Sequence, residues 1–139
     1  MSLSIRNQLP GTVTSVTPGE VMATVKVRLD AGQEITAAVT VEAVQELGLT
    51  SGSAVRTLFK STEVSLATGP VNGLSIRNQL PGTVTDVVSG GAMARVKVQV
   101  AGGELTSAIT KDAVSELGLS PGSEVVALIK STEVSLSNA

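Results

Sequence analysis

Two short stretches of this chain each set one cation beside hydroxyl residues, and both stretches occur twice. Ser4 and Arg6 lie in LSIRNQLPGTVT (Leu3–Thr14), which returns unchanged as Leu74–Thr85 with Ser75 and Arg77. Lys60, Ser61 and Thr62 lie in KSTEVSL (Lys60–Leu66), which returns as Lys130–Leu136 with Lys130 and Ser131. Between these blocks the copies drift: Arg28 corresponds to Gln99, Val41 to Lys111, and Ala54 to Glu124. Blocks held fixed while their surroundings change point to a working surface. Arginine can fork two N–H groups onto one anion, and lysine adds a compact positive charge. Hydroxyls supply further donors without a competing negative charge, so the set suits a small, fully ionised oxyanion.

Each of these residues also has a plainer reading. Arg6 and Arg77 could pair with a recurring acid such as Glu63, and that alternative stays open on sequence alone. A lysine at a strand end followed by Ser and Thr is ordinary on a surface. Thr40 and Thr110 read most simply as helix caps, although a helix start also offers free N–H groups to an anion. Asn7 and Asn78 fit turns or neutral hydrogen-bond donors, and Pro10-Gly11 reads as a turn. Lys26 and Lys97 fall on the polar face of an alternating strand and read as solvated.

Catalysis has little to work with. The chain has no His and no Cys, so imidazole bases, thiolate nucleophiles and the usual zinc or copper ligands are missing. The acids that recur between copies read as helix or strand surface, so no bare metal cation and no enzymatic activity are expected. Net charge is −2, which argues against a general attraction to nucleic acid or anionic lipid. Single-strand nucleic-acid binding further needs aromatic stacking platforms, and Phe59 is the only aromatic residue. No apolar run approaches a membrane span, and MSLSIRNQ lacks the regions of a signal peptide. The expectation is a cytoplasmic protein.

These side chains need a scaffold. The repeat divides the chain into a first domain over 1–67, a linker over 68–73 and a second domain over 74–139. The copies are offset by 71 residues at first and by 70 after one residue is lost near Asp30–Gln33, which fits a hairpin tip. Val21–Leu29 and Ala92–Val100 alternate apolar and polar residues, the period of a half-buried strand. Thr12–Val16, Ile35–Val39, Val55–Phe59 and Glu63–Leu66 read as further strands. One short helix follows Thr40, with Glu42 in its first turn and Gly48 past its end. The fold class is therefore all-β: two tandem small OB-like β-barrels, each with one short capping helix. Such small domains, poor in aromatics and without disulfides, are marginal alone. Oligomerisation is expected to supply the missing buried area.

SIRNQLPGTV, the capped helix TVEAVQELGL and the ending LFKSTEVSL together resemble the Mop domain over nearly all of both copies. Two such domains in one chain are similar to a two-domain molbindin. The resemblance implies a cytoplasmic homotrimer that binds molybdate, with tungstate as a close mimic, at sites between subunits. Carried over by motif, the binding residues would be Ser4, Arg6, Thr40, Lys60 and Ser61, and in the second copy Ser75, Arg77, Thr110, Lys130 and Ser131. Asn7 and Asn78 would line additional sites near the symmetry axis. Ile5 and Ile76 stand where the family commonly has Ala, and would narrow the pocket if they face the anion. Two roles follow: an anion store without turnover, or a molybdate-responsive regulatory or adaptor module that touches another protein.

Overall fold

The alternating segments form strands because one face of each is apolar. A computed structural model describes residues 2–139. In the first copy these are β1 (Asn7–Pro18), β2 (Met22–Leu29), β3 (Glu34–Thr40), α1 (Val41–Leu47), β4 (Ala54–Phe59) and β5 (Ser65–Ala67). The second copy repeats them as β6 (Asn78–Ser89), β7 (Met93–Val100), β8 (Gly103–Thr110), α2 (Lys111–Leu117), β9 (Glu124–Ile129) and β10 (Ser135–Asn138). Exposed and buried positions alternate without a break along β2. Its buried members Ala23, Val25, Val27 and Leu29 join Ile35, Val55 and Phe59 inside the first barrel. Each of these side chains larger than alanine contributes about 1.5–3 kcal/mol by leaving water.

The two sheets are ordered β10-β4-β1-β2-β3 and β5-β9-β6-β7-β8. Each is a curled five-strand sheet, but its fifth strand belongs to the other copy. Ser135–Asn138 pairs with β4, and Ser65–Ala67 pairs with β9. The segment between β4 and β5 is thus a crossover from one sheet to the other. It contains a 3-10 turn at Ser61–Glu63, mirrored at Ser131–Glu133 between β9 and β10. Buried apolar residues of both copies accordingly form one continuous core. The repeat in sequence and the folded barrel are different sets of residues.

Two local readings change. Pro10-Gly11 is not a turn: both residues lie inside β1. The β1–β2 ladder begins at Gly11 opposite Leu29, and just beyond it the Pro10 carbonyl accepts the Asp30 N–H at 3.1 Å, so Pro10 stands at the end of that ladder, a position that tolerates a missing N–H. Gly11 is needed for close approach, since a Cβ there would sit 2.6 Å from the Arg28 carbonyl oxygen. The predicted strand at Glu63–Leu66 begins two residues later, because Glu63 closes the 3-10 turn.

The helices follow their capping residues. Thr40 and Thr110 hydroxyls accept from the N–H groups of Ala43 and Ala113, and Gly48 and Gly118 end the helices in the left-handed conformation with φ near 62° and 64°. Among the described residues no helix is long and apolar enough to cross a membrane.

Candidate functional site

Antiparallel register decides which of the predicted residues meet. Asn7 faces Phe59 across β1 and β4, and Asn78 faces Ile129 across β6 and β9. The next residue outward on each strand is a cation: Arg6 with Lys60, and Arg77 with Lys130. The two fixed blocks, some fifty residues apart in sequence, therefore leave each sheet at the same end. In the second copy Ser75, Ile76, Arg77, Lys130, Ser131 and Thr132 line one cavity of about 280 Å³.

The charges around it are uncompensated. Among the described residues the ion pairs are Lys26–Glu34, Arg95–Asp86 and Lys97–Glu104. Arg6, Arg77, Lys60 and Lys130 enter none of them. Glu63, the proposed internal partner of Arg6, instead accepts the backbone N–H of Lys60 at 3.0 Å. Arg77 donates through Nη2 to the Leu74 carbonyl at 2.9 Å, which aims the guanidinium and leaves its other N–H groups free. The Ser61 and Ser131 hydroxyls are buried and find no hydrogen-bond partner in the protein. A buried, unpaired hydroxyl costs about 1–3 kcal/mol, so both seek an acceptor. Positive charge, free donors and no carboxylate in the lining are chemistry that suits an oxyanion.

A larger hollow of about 570 Å³ lies elsewhere, between Gly69-Pro70 and Pro81, Gly82, Thr83, Glu124, Val125 and Val126. Its one charged group is a carboxylate, so it repels the ligand that the smaller cavity attracts. Among the described residues no group of His, Cys, Asp and Glu is arranged to hold a metal ion.

The remaining candidates are placed differently. Thr40 and Thr110 cap their helices and do not line the 280 Å³ cavity. They stand opposite Met22 and Met93 in the β2–β3 and β7–β8 ladders. Those methionines, with Val21 at 71% exposure and Val88 at 49%, form exposed apolar surface. Asn7 and Asn78 are only 1% exposed, and their carboxamides are engaged. Asn7 donates to the Thr106 carbonyl (2.9 Å) and accepts from the Thr106 N–H (2.8 Å). Asn78 does the same to Thr36, at 2.9 and 2.7 Å. β3 and β8 each form one edge of their sheet, so each asparagine satisfies edge groups of the opposite copy. Ile76 is among the residues that line the cavity, and Thr132 joins the lining although motif transfer passed over it. Its place beside Ser131 in a repeated block was the available signal.

The TOBE domain matches residues 3–66 and 74–136, nearly all of the chain. The chain belongs to the TOBE-domain family. It carries the domain in tandem, the arrangement that the resemblance to molbindins implied. Across its whole length this TOBE protein superposes on all of the cytoplasmic molybdate-binding protein ModG, solved with molybdate bound, with a TM-score of 0.97 and 40% identity. It is 39% identical over 98% of its length to the molybdenum transport protein ModE of Azotobacter vinelandii, covering 51% of that protein. It is 39% identical over 96% of its length to the molybdenum-pterin-binding protein MopB of Rhodobacter capsulatus, covering 50% of it. The chain thus spans about half the length of these curated relatives.

Proposed function

We propose that this protein binds molybdate, and tungstate as its mimic, and holds it as a store without chemical turnover. The observation that carries the reading is the cavity where Arg77 and Lys130, both free of ion pairs, meet Ser75 and the partnerless hydroxyl of Ser131. Two unit cations balance a dianion, and the hydroxyls supply donors that a tetrahedral oxyanion accepts at its corners. Ser4, Arg6, Lys60 and Ser61 are the equivalent residues of the first copy and would act in the same way there. The molybdate-bound state of ModG, similar over its full length, supports the choice of anion.

The working form in this reading is a cytoplasmic homotrimer with sites completed between subunits. Thr40 and Thr110 support it: they stand opposite exposed Met22 and Met93, apolar surface suited to burial against another copy. A threonine from a neighbouring subunit would then complete the donor set that one chain leaves open.

Isothermal titration of the purified protein tests the reading. Molybdate and tungstate are expected to bind tightly, and sulfate and phosphate weakly. Sulfate binding as tight as molybdate would reduce the protein to a general anion binder, and no heat with molybdate would end the proposal.

A further inference from the structure

The two cation turns are identical in sequence but not in support. The first, Lys60–Glu63, runs into Val64, whose carbonyl accepts a 2.7 Å hydrogen bond from the Ser107 hydroxyl on β8 of the other copy. Ser107 is 0% exposed and Val64 1%, so water does not compete for this bond. The position equivalent to Ser107 on β3 is Ala37, also fully buried, which has no donor to offer Val134 at the end of the second turn. A second difference runs the same way. The buried Thr57 hydroxyl on β4 donates to the Leu9 carbonyl at 3.1 Å, stitching β1 to the strand that launches Lys60. Ala127 stands at that place on β9, opposite Leu80, and cannot. The asparagine clamps, by contrast, are present on both sides.

From these differences we infer that Ser107 is a positioning residue that makes the Lys60 site the tighter of two unequal anion sites. The inference rests on the oxyanion-binding reading above and adds an order of filling to it. A turn already held in place loses less conformational freedom when its lysine and serine close on a ligand. The Lys130 turn keeps the same internal backbone hydrogen bonds but lacks this tether, so it has more freedom to lose when it closes on the anion.

Full-length wild-type protein titrated with sodium molybdate should show two classes of site. Lys60→Ala should remove the tighter class and Lys130→Ala the weaker one. Ser107→Ala should weaken the tighter class by about threefold or more, the scale of one net hydrogen bond, and leave the weaker class in place. Ala37→Ser, which copies the second-copy arrangement into the first, should tighten the weaker class. Either of these two variants suffices if the other does not fold. A merely structural hydroxyl would lower the melting temperature of Ser107→Ala without changing the ratio of the two affinities, and that result overturns the inference. So does a single class of equal sites in wild type. Absence of molybdate binding in wild type sinks the underlying reading as well, and is distinguishable because no class appears at all.

Discussion

Replacing Asn7 by alanine should loosen the join between the two copies. The substitution deletes two hydrogen bonds, from Nδ2 to the Thr106 carbonyl and from the Thr106 N–H to Oδ1, at 2.9 and 2.8 Å. Two net bonds are worth about 2 kcal/mol, and groups left unpaired add about 1–3 kcal/mol each when fully buried. Thr106 is half-buried, so water recovers part of that second cost. The expected loss is about 2–4 kcal/mol, or roughly 10 °C in Tm for a chain of this size. Asn78→Ala should cost a similar amount through Thr36. Asn7→Asp keeps the shape and the acceptor but loses the donor to the Thr106 carbonyl, and should also destabilise. Thermal and urea unfolding at one fixed protein concentration measure this, since association shifts apparent stability. A loss below about 0.5 kcal/mol in both alanine variants, within the range of an ordinary surface change, would refute the clamp argument.

Two further outcomes follow from the packing. Gly82→Ala places a Cβ 2.5 Å from the Gln99 carbonyl oxygen, so unfolding experiments should show a loss of about 1–3 kcal/mol; an unchanged midpoint would mean the β6–β7 ladder gives way freely. Met22→Glu with Met93→Glu should shift the proposed trimer to monomer in analytical ultracentrifugation while circular dichroism stays the same; an intact trimer would show that this apolar surface is not the proposed subunit contact.

Much of the architecture was legible because the strands carry their own pattern. The alternation in Val21–Leu29 and Ala92–Val100, the Thr40 and Thr110 caps and the glycines after the helices all act locally. The exchange of β5 and β10 was not legible, for a physical reason. Ser65-Leu66 and Ser135-Leu136 are the same residues, so each copy offers β4 and β9 the same edge to pair with. Only the path of the crossover decides which is used, and no residue pattern records it. Pro10 misled because a turn and the end of a strand ladder favour the same residue.

The exchange also alters what the repeated blocks mean. Both lie at the junction of the copies, where Asn7 and Val64 are buried and needed for packing. Retention of those residues is explained by the join alone. It does not explain Arg6, Lys60, Arg77 and Lys130, which are exposed and free of ion pairs among the described residues. The chemical signal is therefore the cations within the blocks, and the hydroxyls of Ser61 and Ser131 beside them. Asn7 and Asn78 show that the same blocks also carry groups that clamp the two copies together.

Diffraction from crystals grown with molybdate, recorded near the molybdenum absorption edge, tests the central claim most directly. Anomalous peaks are expected beside Arg6, Lys60 and Ser61 and beside Arg77, Lys130 and Ser131, with the serine hydroxyls donating to the anion. Peaks only at other positions, or none while these cations point into bulk solvent, would contradict it.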